Sequence, residues 1–128
     1  PVYAVNDGIV SGVIAGYFDN PPGGFSASGN TITINHGSYS SFYAHLKYEG
    51  IVVKEKQKVK RGQLIGYNGN TGMSSESHLH FCVYSNRLPE YITIPFRFQK
   101  GKLITKSGKM IRSSRPYREG EIALFPNR

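Results

Sequence analysis

Ser77-His78-Leu79-His80-Phe81-Cys82-Val83 decides how the rest of the chain is read. Apolar, β-prone residues surround two histidines at i and i+2, and a strand sends alternate side chains to one face, so both imidazoles project together about 7 Å apart. That separation suits a metal ligand and a catalytic neighbour, because a Zn–N bond is about 2.0–2.1 Å and leaves room for a reacting water. The same pattern also fits a half-buried edge strand whose histidines only hydrogen-bond.

The surrounding composition favours an all-β fold. In 128 residues there are 15 glycines, 7 prolines, 9 tyrosines and 7 phenylalanines. Short Val/Ile runs alternate with turn signals, and no segment has the periodicity of an amphipathic helix. A chain of this size can bury a core as one domain, and it carries no apolar run long enough for a membrane span. A formal net charge of +8 points to an acidic partner or surface. The cations are spread over residues 54–61, 100–109 and 112–118, without the aromatic ladder of a nucleic-acid binder, and read as solvated loops. Cys82 is the only cysteine, so no disulfide forms within the chain.

In order, residues 2–5 and 9–14 read as a β-hairpin around Asn6-Asp7-Gly8, with Asp7 as a turn residue. Residues 16–29, containing Pro21-Pro22-Gly23-Gly24, form a loop that can border a cleft. Asn30-Thr31-Ile32-Thr33-Ile34-Asn35 alternates as a half-buried strand, with Ser41-Phe42-Tyr43-Ala44-His45-Leu46 as its neighbour. His36 reads as a structural strand-end residue, and His45, taken alone, as a neutral core histidine. Its spacing to Glu49 spans about 13 Å along a strand, too far for both to hold one metal. Glu49-Gly50 is a turn, Leu64-Ile65-Gly66-Tyr67 a buried strand, and residues 68–76 a glycine-punctuated loop leading into His78. Residues 91–98 read as a further strand bent or placed at an edge by Pro95, residues 102–111 as a small hairpin, and 112–128 as a basic tail.

Five segments in this order carry a resemblance: Val5-Asn6-Asp7-Gly8-Ile9-Val10, Gly29-Asn30-Thr31-Ile32-Thr33-Ile34-Asn35-His36-Gly37, Tyr43-Ala44-His45-Leu46, Val59-Lys60-Arg61-Gly62-Gln63-Leu64-Ile65-Gly66, and Gly69-Asn70-Thr71-Gly72 before His78-Leu79-His80-Phe81. Together they resemble the M23 zinc metallopeptidases, the LytM/lysostaphin-type peptidoglycan hydrolases. The resemblance implies an antiparallel, β-sandwich-like core with a loop-bordered groove. It implies a peptidase domain over residues 1–90, with residues 91–128 packed on it or trailing it. It also implies a Zn2+ centre in which His80 is a metal ligand, while His45 and His78 activate the reacting water and stabilise the tetrahedral intermediate.

In the family, the first two ligands come from a His-x-x-x-Asp motif just before the segment matching the start of this chain. The motif has no substitute here, since His36 is followed at the fourth position by Ser40. The expectation is therefore a fragment of a longer endopeptidase that cuts peptidoglycan stems or cross-bridges, inactive and a poor zinc binder as it stands. A strand-like start at Pro1 without Met fits a cut through a domain. The expected setting is the periplasm or the extracellular cell envelope, with peptidoglycan peptides as partner and no nucleic acid. The alternative is a non-catalytic LytM-like module that binds the wall or activates another hydrolase.

Overall fold

The computed structural model describes residues 1–24, 26–87, 92–100, 102–105 and 122–124. The described residues contain only strands, turns and loops, as the composition predicts. The strands are β1 (Val2–Tyr3), β2 (Gly8–Ile14), β3 (Asn30–Asn35), β4 (Tyr39–Leu46), β5 (Lys58–Val59), β6 (Leu64–Gly66), β7 (Leu79–Ser85), β8 (Phe96–Gln99), β9 (Lys102–Thr105) and β10 (Ile122–Leu124). Six of them form an antiparallel sheet in the order β10-β7-β4-β3-β2-β5, while β1 pairs with β6 and β8 with β9.

The alternation read from the sequence sets the core. Ile32 and Ile34 of β3, Tyr43 and Leu46 of β4, and Leu79, Phe81 and Val83 of β7 are buried from one face of the large sheet. Val2, Ala4 and Ile65 from the β1–β6 segment join them in the same cluster, with Leu103 of β9. Burying a side chain such as Ile or Phe is worth about 1.5–3 kcal/mol, so these residues hold the three sheets together.

The expected pairing of β3 with β4 is observed, with Thr33 opposite Phe42 and Ile34 opposite Ser41. The hairpin expected between residues 2–5 and 9–14 does not form. Strand β1 crosses to β6 instead, and Ala4 is clamped by Gln63 O (2.9 Å) and the Gly62 amide (2.8 Å). Asp7 does more than turn the chain, because its Oδ1 accepts the Arg61 amide at 2.8 Å. Gly8 is then needed for close approach, since a Cβ there would sit 2.5 Å from Asn35 O.

The strand expected over residues 91–98 is shorter. Thr93 makes an isolated bridge to Tyr84, and regular pairing starts only at Phe96, just after Pro95; Tyr91 lies outside the described residues. Proline lacks the amide that a continuous ladder would use there. Residues 102–105 form a hairpin with β8 instead of folding on themselves, and residues 106–111 lie outside the described set. Within the basic tail, Ile122–Leu124 is an edge strand on β7, with Ala123 opposite His80; the rest of 112–128 is outside the described residues. No helix among the described residues is long and apolar enough to cross a membrane.

Candidate functional site

The register of β4 carries His45 to the place where it matters. Tyr43 lies opposite Ile32 and Leu46 opposite Asn30, so Ala44 and His45 together face the single residue Thr31. This is a β-bulge, and His45 sits in its left-handed backbone region at φ 61°. In an unbroken strand, His45 would share a face with buried Tyr43. The bulge puts Tyr43 and Leu46 on the core face together, both essentially fully buried, and turns His45 toward the histidines that precede and enter β7.

His80 is paired across the sheet with Ala44 and is half-buried. Its ring meets the edge of Phe42 at 6.5 Å. His78 is two residues earlier, bridged to Gly69 and buried. The His45 ring centroid lies 4.7 Å from that of His78 and 5.7 Å from that of His80. All three candidate site residues are therefore gathered in one cluster. His36 is not part of it: its Nδ1 lies 2.7 Å from Asp7 O, its Nε2 lies 2.7 Å from Ser41 Oγ, and its ring stacks on Tyr39. That is the structural role its strand-end position predicts.

Hydrogen bonds fix the tautomers. His45 Nδ1 is 2.7 Å from Thr71 O, and His78 Nδ1 is 2.8 Å from Glu76 O. A carbonyl only accepts, so each Nδ1 carries the proton, and in the neutral ring Nε2 is the basic nitrogen. Ser74 supports His78, since its Oγ donates to Glu76 O at 2.8 Å and lies 3.1 Å from His78 Nδ1. The His45 pKa is lowered, chiefly because burial disfavours its charged form; the Thr71 hydrogen bond opposes this, and the charges of His78 and His80 add to it. The shift favours the neutral form of the His45 ring.

Residues outside the candidate set support the histidines. Thr71 is completely buried; its hydroxyl donates to Leu46 O at 2.8 Å and accepts the Asn30 amide at 3.0 Å, while its carbonyl holds His45. Asp19 joins two loops: Oδ1 accepts the Asn70 amide at 2.7 Å and Oδ2 the Tyr48 amide at 2.9 Å. Asn20 Nδ2 donates to Gly72 O at 2.7 Å and Ser74 O at 3.1 Å. The loop over residues 16–29 is thus fastened to the loop over 67–77 that positions His45 and His78. The signal for this lay in the Asp19-Asn20 pair, since short polar side chains readily bond loop backbone. Gly69 is required by the same packing: a Cβ there would lie 2.5 Å from Lys47 Cα and against Asp19 Oδ1.

Zinc is the metal implied by the resemblance. Among the described residues, no group of three or more His, Cys, Asp or Glu side chains is arranged to hold an ion. The described residues therefore do not by themselves fit a catalytic zinc centre.

Comparison with known proteins bears on this site. The sequence pattern of Peptidase family M23 matches residues 1–90. The chain is 43% identical over 82 residues to the peptidoglycan DD-endopeptidase ShyA of Vibrio cholerae serotype O1, covering 63% of this chain and 16% of that protein. It is 40% identical over 88 residues to the glycyl-glycine endopeptidase ALE-1 of Staphylococcus capitis, covering 67% of this chain and 22% of that one. The chain therefore spans only a small part of the length of these relatives. Among solved structures, a zinc-containing peptidase from Vibrio cholerae superposes with a TM-score of 0.52 at 33% identity, over 82% of this chain and 25% of that one. The catalytic domain of lysostaphin from Staphylococcus simulans does so with a TM-score of 0.51 at 33% identity, over 69% and 60%. With an all-β fold, the ordered motifs and a match over most of its length, the chain belongs to peptidase family M23.

Proposed function

We propose that this chain is part of a zinc metalloendopeptidase that hydrolyses the peptides of peptidoglycan. The observation that carries the proposal is the gathering of His45, His78 and His80 by the β4 bulge, with the Nδ1 atoms of His45 and His78 committed to backbone carbonyls. In this reading, His45 and His78 are the catalytic pair. Their basic Nε2 atoms take the proton from the attacking water, hold the resulting charge near the developing oxyanion, and return a proton to the leaving amine. His80 would be the metal ligand contributed by this chain.

In this reading residues 1–90 are the peptidase domain, and the burial of Leu103 in the common core supports packing of the β8–β9 hairpin on it. The named relatives cut D,D and glycyl-glycine bonds, which supports wall peptides as the substrate class and the periplasm or extracellular envelope as the setting. The net charge of +8 suits an anionic wall.

The test is to incubate the intact protein with purified cross-linked muropeptides and look by mass spectrometry for a new amino terminus. Cleavage that is lost on chelation and restored by zinc is the expected result. Zinc binding at full stoichiometry by His80→Ala would remove the ligand assignment. A second reading, a non-catalytic module that binds the wall or activates another hydrolase, rests on the missing three-residue ligand group among the described residues. Wall binding without cleavage by the intact protein would favour it.

A further inference from the structure

Asn20 reaches into residues 70–74 at three carbonyls. Its backbone amide donates to Asn70 O at 3.0 Å, and its Nδ2 donates to Gly72 O at 2.7 Å and to Ser74 O at 3.1 Å. Both side-chain partners are carbonyls, which only accept, so the NH2 end of the Asn20 amide faces them and uses both of its hydrogens.

These carbonyls are interleaved with the groups that orient the two candidate catalytic histidines. Thr71, between Asn70 and Gly72, gives its carbonyl to His45 Nδ1 at 2.7 Å. Ser74 brings its Oγ to 3.1 Å from His78 Nδ1. The curve of residues 70–74 therefore sets the separation between what holds His45 and what holds His78, and Asn20 fastens that curve at its start, middle and end. Asn20 is itself held from both sides. The Asp19 carboxylate accepts the Tyr48 and Asn70 amides, and Pro21 restricts the residue before it to extended backbone. Gly72 O also accepts the Ser26 and Ser74 amides, so loss of the Asn20 side chain should shift this turn without unfolding it.

We infer that Asn20 is a positioning residue for peptide hydrolysis. It acts through residues 70–74, setting where the Nε2 atoms of His45 and His78 stand relative to the reacting water. A displacement of about 1 Å in such a group can cost about 10²-fold in rate. The inference rests on the acid–base roles proposed above for His45 and His78.

The test compares two variants of the intact protein. Asn20→Asp keeps the shape of the side chain but turns a carboxylate oxygen against the Gly72 and Ser74 carbonyls, whereas Asn20→Ala removes the contacts without repulsion. On a cross-linked muropeptide, Asn20→Asp is expected to lower kcat about 10²-fold and Asn20→Ala about tenfold, each with KM within about twofold of the parent and zinc content unchanged. In a His45→Ala background, Asn20→Asp should cost much less, because residues that act as a unit are not additive. A second measurement needs no activity. Long-range 1H–15N spectra, recorded well above the ordinary histidine pKa of about 6.5, follow the ring Nδ1–H groups. The His45 and His78 signals should move or broaden in Asn20→Asp, while that of His36, held by Asp7 O at 2.7 Å, stays in place. Unchanged kcat, a rise in KM alone, a loss fully additive with that of His45→Ala, or unmoved His45 and His78 signals would each overturn the inference. If the parent protein cleaves no wall peptide, the proposed function fails and the spectra alone decide. Movement of the His45 and His78 signals with His36 fixed keeps Asn20 as the residue that positions the pair, and movement of all three, or of none, removes it.

Discussion

The two ends of β4 each hold a histidine whose Nδ1 bonds a backbone carbonyl, yet they are built for different ends. His36, just before the strand, is enclosed by polar groups that need it: Asp7 O, Ser41 Oγ and the Tyr39 ring. Ser41 in turn lies 3.1 Å from the Tyr43 hydroxyl, which accepts the Val5 amide at 3.0 Å. His45, near the other end, is surrounded instead by two more imidazoles. Both rings have lowered pKa values with burial as the main cause. The lowered pKa therefore does not tell the two histidines apart; their neighbours do.

Substitution of the two histidines should break this comparison most sharply. His45→Ala and His78→Ala are each expected to lower kcat on a cross-linked muropeptide by about 10²–10⁴-fold, the usual contribution of a positioned acid–base group. His36→Gln should leave kcat near the parent value and lower thermal stability. Near-normal turnover in His45→Ala would return His45 to the structural class of His36.

The loops that orient His45 and His78 offer the next effect. Gly69→Ala should destabilise the fold by about 1–3 kcal/mol, because the added methyl meets the Lys47 backbone. Gly12→Ala is the control: its added Cβ comes no closer than 3.8 Å to Thr33, and denaturant midpoints of the two variants should separate clearly.

At the His36 end, Tyr43→Phe should cost about 1–2 kcal/mol by leaving the Val5 amide without its acceptor. Turnover per folded molecule should be unchanged. A large loss of kcat in this variant would mean that the two ends are coupled.

The smallest expected effect is a pH slope. The folded pKa of His36 is depressed below its ordinary value of 6.5, with burial the first cause and Asp7 opposing. The unfolded chain therefore binds more protons between that folded value and 6.5, and the stability contributed by neutral His36 is present above pH 6.5 and lost as the pH falls through the folded pKa. Urea melts across this range should show the decline in the parent and a shallower one in His36→Gln.

Strand pairing was legible where the sequence alternated. Asn30-Thr31-Ile32-Thr33-Ile34-Asn35 reads as β3 because its Ile residues must share a buried face. The β1 partner was not legible, because two short strands around Asn6-Asp7-Gly8 satisfy the local hairpin rules equally well. Only the clamp on Ala4 and the grip of Asp7 on Arg61 send β1 to β6. Pro95 marked an interruption near β8, but the pairing of β10 beside His80 left no local signal.

Local periodicity and residue chemistry were enough for an all-β protein with a core of alternating Ile, Val, Tyr and Phe and for His78 and His80 on one side of a strand; the M23 family was indicated by resemblance, through motifs in order. That His45 joins the other two histidines follows from the fold, because a bulge counts two residues of β4 against one of β3 and reverses the facing that alternation predicts. The fold also decided that Thr71, Asp19 and Asn20 hold the site, since each acts through backbone groups at least 25 residues away in sequence.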